Sequence, residues 1–262
     1  MELEVISRTP VERRHETPLL LVHGAWHGAW CWDGGFMDRL AGAGFEVHAL
    51  SLRGHGGSPG RSQLRRHSTT DYVEDVATVV ESLGTAPLLV GHSMGGWVVQ
   101  HYLKDHQAAG AVLVASVPVT GTARFSARIA RGYPGHFARF VLTASAWPVV
   151  ETPELARHWF FSDAYPDEAL HRHHAQLQDE SFRAALDMLL LRRPDPAAVS
   201  CPMLVLAGEG DRIFSVAEEE RTARAYGVEA EIFPGMAHNM MSDPGWEAVA
   251  DRIASWAGSV AG

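Results

Sequence analysis

Short apolar runs alternate along the chain with longer stretches in which apolar residues recur every three or four positions. Runs of the first kind are typical of buried strands, and stretches of the second kind are typical of helices that pack on a sheet. The predicted strands are Pro18–Val22, Phe45–Leu50, Pro87–Val90, Ala111–Ala115, Met203–Ala207 and Glu229–Phe233. The predicted helices are Gly34–Ala43, Thr69–Leu83 with Thr69 or Thr70 as its cap, Met94–Lys104, Val216–Tyr226 and one near Trp246–Trp256. This alternation predicts an α/β fold, with a mostly parallel sheet and helices on both faces.

The alternation stops between Val117 and Pro196, where the sequence has a helical pattern and many aromatic residues. Proline residues often mark the joins between structural units, and they stand here at Pro118 and in Pro194-Asp195-Pro196. We therefore expect residues 1–117 and 197–262 to form the core domain. Residues 118–196 are expected to form an inserted helical cap.

Composition and charge argue against several classes of protein. The 262 residues carry a net charge of −9 and no basic run with interleaved aromatics, which argues against a nucleic-acid partner. Two cysteines, Cys31 and Cys201, are too few for a disulfide framework or a four-ligand zinc site. The charged stretch Met1–Glu16 lacks the apolar segment of a signal peptide, and no later run approaches the roughly 18 residues of a membrane span. These features predict a soluble cytoplasmic protein that has no membrane partner, and they leave the oligomeric state open.

The strongest local signal is a glycine-rich turn that follows a predicted strand. The strand residues Leu88–Val90 lead directly into Gly91-His92-Ser93-Met94-Gly95-Gly96, and an apolar helix follows. This is the G-x-S-x-G pattern in the strand–turn–helix setting that makes it a nucleophile elbow. Glycines suit the turn because the strand and the helix approach closely, and the serine adopts a strained backbone conformation. We therefore expect Ser93 to point into a cleft at the carboxyl edge of the sheet.

A serine hydroxyl is a weak nucleophile at neutral pH, so Ser93 needs a base and a group that orients the base. Of the 15 histidines, His238 alone follows the last predicted strand in a Gly-rich turn, which makes it the candidate base. Two acids, Glu209 and Asp211, follow the preceding strand in Gly208-Glu209-Gly210-Asp211-Arg212. The order serine, acid, histidine is the order in which this fold carries its triad.

Catalysis by such a serine also needs backbone N–H groups that bind the developing oxyanion. One expected donor is Met94, the residue after the nucleophile. The other is expected in the turn His23-Gly24-Ala25-Trp26, where Gly24 allows a tight bend and Ala25 N–H is the preferred donor. The glycines of this turn match neither a dinucleotide fingerprint nor a phosphate-binding loop.

Together these motifs resemble the alpha/beta-hydrolase superfamily over nearly the whole chain. The His-Gly turn at His23 and Arg53-Gly54-His55-Gly56-Gly57-Ser58 match its pattern as well. The repeated His-Gly-Ala-Trp stretch is similar to plant methylesterases and hydroxynitrile lyases, and to bacterial esterase-like hydrolases. The resemblance implies a serine hydrolase without cofactor or metal, and a cap that closes an apolar pocket over a small-molecule substrate. It also favours Asp211 over Glu209 as the acid, because the family's acid follows the Gly-x-Gly turn.

Two departures from the family pattern matter. Little chain precedes Pro18 for the family's first antiparallel hairpin, so we expect fewer than the usual eight strands. The lyase members carry a lysine directly after the catalytic histidine, where this chain has Asn239. Because Lys104, in the helix after the elbow, is the only lysine, cyanohydrin cleavage is disfavoured.

A histidine-rich segment of the predicted cap, His171-Arg172-His173-His174, offers a further candidate site. His171 and His174 share a helical face and could in principle bind a metal, but no carboxylate or cysteine stands at ligand spacing beside them. We interpret the segment as a solvated helix face.

The expected function is hydrolysis of a carboxylic ester, lactone or thioester through an acyl-enzyme on Ser93. The alternatives are cleavage of a C–C bond by the same triad, and a non-catalytic binding protein on the same scaffold.

Overall fold

The structure is a computed structural model that describes residues 2–260, apart from the side chain of Leu190. Its centre is a seven-stranded sheet in the order β1-β3-β2-β4-β5-β6-β7. Strand β1 pairs antiparallel with β3, and every other pair is parallel. The strands are β1 (Val5–Arg8), β2 (Leu19–Val22), β3 (Val47–Leu50), β4 (Leu88–His92), β5 (Gly110–Val114), β6 (Met203–Gly208) and β7 (Ala230–Phe233).

Ten α-helices surround this sheet within the described residues. They are α1 (Phe36–Gly42), α2 (Thr69–Leu83), α3 (Met94–Asp105), α4 (Ala123–Gly132), α5 (Pro134–Thr143), α6 (Pro153–Phe160), α7 (Asp167–His174), α8 (Phe182–Leu186), α9 (Val216–Ala225) and α10 (Trp246–Val260). None of those helices is both long enough and apolar enough to span a membrane.

Both faces of the sheet are covered, which explains why the central strands are continuous apolar runs. In β2, Leu20 and Val22 pack in one core cluster while Leu19 and Leu21 pack in the other, and all four are fully buried. Parallel strands buried on both faces have this sequence character. The predicted α/β architecture is therefore confirmed.

The edge strand β1 lies before Pro18, in the short stretch where the sequence left little room for a hairpin. A single antiparallel strand pairs there with β3, and Val5 lies opposite Leu50. The sheet has seven strands among the described residues, so the prediction of fewer than eight is confirmed.

The start of α2 differs from the prediction. Ser68 caps the helix, not Thr69 or Thr70: its hydroxyl accepts the Asp71 N–H at 3.2 Å, and Asp71 Oδ2 accepts the Ser68 N–H at 2.6 Å. This reciprocal pair satisfies two free backbone donors at once. Thr69 N–H donates instead to Asp187 at 3.0 Å, which links the helix start to the segment between β5 and β6.

The segment between β5 and β6 contains five helices, α4 to α8, and a π-helical turn at Asp187–Leu191. We call residues 118–196 the cap segment. It contacts the loops that follow β2, β6 and β7, at the carboxyl edge of the parallel strands. In open α/β sheets this edge is where ligands bind.

Candidate active site

Ser93 lies in the sharp turn between β4 and α3, with φ of 52° and ψ of −118°. Few non-glycine residues adopt such a backbone conformation, and it marks a locally strained site. The neighbouring glycines leave the space that the turn needs. A Cβ on Gly91 would lie 2.6 Å from the Gly95 oxygen, and one on Gly95 would lie 2.2 Å from the Val22 oxygen. The sequence pattern is therefore explained by close backbone approach at both positions.

Asp211 and His238 form a buried hydrogen-bonded pair. His238 Nδ1 lies 2.8 Å from Asp211 Oδ2, and the two side chains are 1% and 2% exposed. Asp211 Oδ1 accepts the backbone N–H groups of Ile213 at 2.7 Å and Phe214 at 3.1 Å. These donors fix the carboxylate, and the carboxylate fixes the imidazole so that its Nε2 is free for other partners.

Glu209, the alternative acid, lies elsewhere in the same turn. It is exposed, and its Oε2 accepts the Gly235 N–H at 3.0 Å. Because it bonds to the backbone before His238 and not to the imidazole, its role here is to brace the turn. The geometry of the pair therefore favours Asp211.

His92, the residue before Ser93 in the elbow, contacts His238. His92 Nε2 lies 3.1 Å from the His238 carbonyl oxygen, and the two imidazole centroids are 4.8 Å apart. Within residues 2–260 no hydrogen bond joins His238 to the Ser93 hydroxyl. Such bonds often tighten only when a substrate is bound.

Ala25, Ser93 and Met94 line the same pocket. Among the hydrogen bonds that the described backbone forms outside regular helices and strands, none uses the N–H of Ala25 or Met94 as donor. Gly24 allows this approach of the two loops, since a Cβ there would lie 2.7 Å from His92 Nδ1 and 2.9 Å from Ser93 Cβ. Both residues therefore lie at the pocket that contains Ser93, with amides that none of these backbone bonds uses.

The pocket that contains Ser93 is mostly apolar, and the cap segment supplies most of its wall. Its polar side chains are those of Ser93, Thr122, Ser126 and Glu180. Its larger apolar side chains are Trp26, Met94, Val117, Phe125, Ile129, Phe137, Phe140, Val149, Leu186, Met188, Leu189, Ile213 and Phe214. Phe160 is not among these pocket side chains. Its ring stacks on the imidazole of His238, with the two centroids 6.2 Å apart.

Sequence reasoning missed Glu180, a buried carboxylate from the cap segment that holds the turn after β2. Its two oxygens accept from His55 Nε2 at 3.0 Å, the Tyr72 hydroxyl at 2.9 Å, Ser181 N–H at 2.6 Å and Trp26 N–H at 3.3 Å. Burial opposes its ionisation, but the nearby His55 and these hydrogen bonds hold the pKa of Glu180 below its usual value. No sequence motif predicts these contacts, because Tyr72, His55 and Trp26 are 108 to 154 residues away from Glu180.

The histidine-rich segment lies in α7, and its histidines have different surroundings. His171 is exposed and its Nδ1 lies 2.8 Å from the Asp167 oxygen, while His174 Nε2 lies 3.0 Å from the Val150 oxygen. His173 is buried, so the interpretation as a solvated face is wrong for that residue. Within the described part of the chain, no group of three or more His, Cys, Asp or Glu side chains is arranged to hold a metal ion.

Comparisons with known proteins agree with this architecture. A profile of the alpha/beta hydrolase family matches residues 19–252. A monoacylglycerol lipase of Mycolicibacterium smegmatis is 29% identical over 239 residues, covering 84% of this chain and 80% of that protein. Methyl jasmonate esterase 1 of Vitis vinifera is 40% identical over 85 residues, 32% of this chain and 32% of that protein.

A solved structure extends the likeness to the whole fold. The monoacylglycerol lipase of Paleococcus ferrophilus superposes with a TM-score of 0.71 at 23% identity, covering 99% of this chain and 100% of that one. The family profile spans the strands and turns that carry Ser93, Asp211 and His238. The chain therefore belongs to the alpha/beta hydrolase family and is an enzyme of the hydrolase class.

Proposed function

We propose that the chain hydrolyses a carboxylic ester of a small, largely apolar molecule through an acyl-enzyme on Ser93. The observation that carries this proposal is the buried Asp211–His238 pair at 2.8 Å, beside a strained elbow whose serine opens into an apolar pocket. The esterase and lipase names among the relatives support the same type of reaction. Lactones and thioesters present the same carbonyl chemistry to the serine.

The proposed reaction begins when His238 Nε2 takes the Ser93 proton as Oγ attacks the ester carbonyl carbon. The carbonyl oxygen becomes an oxyanion, which accepts hydrogen bonds from the N–H groups of Ala25 and Met94. Protonated His238 then gives its proton to the departing alcohol, leaving an acyl group on Oγ. A water molecule then gives a proton to His238 and attacks the acyl carbon. The carboxylic acid product is released as His238 returns the proton to Ser93 Oγ.

Asp211 is proposed to keep the proton of neutral His238 on Nδ1 and to stabilise the imidazolium that forms in each half of the reaction. The two backbone N–H groups on its other oxygen hold the carboxylate in place. The residues need no metal ion or cofactor for these steps.

The apolar pocket wall supports the proposed preference for apolar substrates. The cap segment is proposed to act as a lid domain inserted in the core of residues 1–117 and 197–262. Phe125, Ile129, Phe137 and Met188 come from the cap segment and lie around the opening to Ser93. Burying one CH₂ group against such a surface contributes about 0.8 kcal/mol. We therefore expect esters with several carbons on the buried side to react faster than acetates.

The test uses p-nitrophenyl esters of two to ten carbons and the Ser93→Ala variant. The proposal expects turnover that rises with chain length and disappears in Ser93→Ala while the variant keeps the wild-type Tm. Ester turnover that survives in Ser93→Ala would contradict the acyl-enzyme. No turnover of any ester would favour C–C bond cleavage or a binding protein, which an assay with β-diketones and a binding assay would separate.

A further inference from the structure

Three buried polar side chains from three separate segments of the chain meet beside the turn that carries His238. His27 follows β2, His173 lies in α7 of the cap segment, and Asn239 directly follows His238. His27 Nε2 and His173 Nε2 are 2.9 Å apart, and Asn239 Nδ2 lies 3.2 Å from the first and 3.3 Å from the second. The three residues are 1%, 7% and 0% exposed. We call them the His27–His173–Asn239 cluster.

The hydrogen bonds around the cluster fix the direction of its protons. His27 Nδ1 lies 2.7 Å from the Ala25 carbonyl oxygen, which requires the proton on Nδ1 and leaves Nε2 as an acceptor. His173 Nε2 and Asn239 Nδ2 then both donate to His27 Nε2, and the 3.3 Å approach of Asn239 Nδ2 to His173 Nε2 is a contact between two donors. Burial lowers the pKa of His27 to about 3 and the pKa of His173 well below its usual value, so both imidazoles are neutral at neutral pH.

Each member of the cluster is tied to a different part of the proposed machinery. His27 bonds to the carbonyl of Ala25, whose N–H is one proposed oxyanion donor. Asn239 is the chain neighbour of His238, and its N–H donates to the Phe160 oxygen of the cap segment at 2.9 Å. His173 donates to His27 from α7 and packs against the ring of Phe161 at a centroid distance of 4.9 Å.

We propose that His173 is a positioning residue that holds the oxyanion turn and the His238 turn in register. The inference rests on the proposed function of Ser93, Ala25 and His238. Without the imidazole at position 173, the His27 turn loses its hydrogen bond to α7, and the longer 3.2 Å bond from Asn239 is left to hold the two turns together. A displacement of about 1 Å in such an arrangement reduces a rate on the order of 10²-fold.

The test compares His173→Leu, His173→Gln and, on the exposed side of the same helix, His171→Leu. His173→Leu is expected to lower kcat by about 10- to 100-fold with little change in KM, and to slow fluorophosphonate labelling of Ser93 by a similar factor. His173→Gln places an amide where the imidazole nitrogen lay and is expected to recover most of that loss. His171→Leu is expected to match the wild type in all three measurements.

Several outcomes would overturn the inference. One is wild-type kcat and labelling rate in folded His173→Leu. Another is a loss accounted for by a smaller folded fraction, with normal kcat per folded molecule. If His173→Leu does not fold, His173→Ala carries the test, and normal kcat and labelling in that variant would overturn the inference. Failure of the wild type to be labelled would instead contradict the proposed function of Ser93, so the two failures are distinguishable.

Discussion

The strand ends of the core and the helices of the cap segment both reach the candidate active site, but they contribute different kinds of residue. Core turns carry Ser93, Asp211 and His238 directly after β4, β6 and β7. The cap segment supplies pocket walls such as Phe125, and braces such as Glu180. In this account the core performs the chemistry, while the cap segment selects the substrate and holds the turns in place.

The largest expected effect lies in the core, where Ser93 and His238 act as a unit. Ser93→Ala or His238→Ala should each lower kcat by a factor on the order of 10⁶, and the double variant should lose little more. Steady-state kinetics on a p-nitrophenyl ester measures this. Additive losses in the double variant would show that the two residues do not act together.

The second prediction separates the two acids of the turn after β6. Asp211→Asn should fold normally but lose about 10⁴ in kcat, because the wrong tautomer of His238 then faces Ser93. Glu209→Gln is the matched control and should retain activity, since the Glu209 side chain accepts the Gly235 N–H and not a proton of His238. A large loss in Glu209→Gln with an unaffected Asp211→Asn would reverse the assignment.

The third prediction concerns the cap segment and should change selectivity more than chemistry. Ala185 lines the pocket, so Ala185→Phe fills space that a substrate chain would use. The variant should lower kcat/KM for longer esters by about 10- to 100-fold relative to acetate. Ala127→Phe, on the exposed side of α4, serves as the control. An equal loss for all chain lengths would indicate damage to the core machinery instead.

The last prediction concerns stability in acid, and it arises from histidines that are buried in the core and at its contact with the cap segment. Burial lowers the pKa of His23 and His27 from 6.5 to about 3, and holds the pKa of His92 and His173 well below 6.5. The unfolded chain binds protons at these histidines near pH 6.5 and the folded chain does not. Stability is therefore lost as the pH falls below about 6.5, by up to about 1.4 kcal/mol per pH unit for each histidine.

Glu219 opposes this trend, because burial and the nearby Asp211 raise its pKa well above 4.5. Burial also raises the pKa of Asp75, but it lowers the pKa of His48, His101 and His158 in addition to the four histidines above, so the net direction is loss of stability in acid. Urea unfolding at pH 8, 7, 6 and 5 measures the slope. A free energy of unfolding that is constant between pH 7 and 5 would show that these histidines are not buried in the neutral form.

The difference between the two regions also explains what the sequence could predict. Gly91, Gly95 and Ser93 are constrained by local backbone geometry, so a short motif reveals them. Asp211 and His238 follow strands whose apolar runs are visible in the sequence. The carboxyl ends of parallel strands share one edge, which is why residues 27 positions apart could be expected to meet.

The contacts between the cap segment and the core have no comparable sequence motif. His173 reaches His27 across 146 residues and Glu180 reaches Trp26 across 154, and neither pair follows a fixed spacing. Helical periodicity does not show which face of a short helix is buried, so the sequence predicts the same exposed surroundings for His173 as for its neighbours. The sequence favours Thr69 or Thr70 as the cap of α2, and only the reciprocal bonds of Ser68 with Asp71 settle the position.

Active-site labelling tests the central claim most directly. The wild-type protein is treated with a fluorophosphonate while ester hydrolysis is followed, and the labelled peptide is identified by mass spectrometry. The account predicts one label per chain on Ser93, loss of activity in proportion to labelling, and no effect of a chelator on the rate. Full activity after stoichiometric labelling at another residue, or inactivation by the chelator alone, would contradict it.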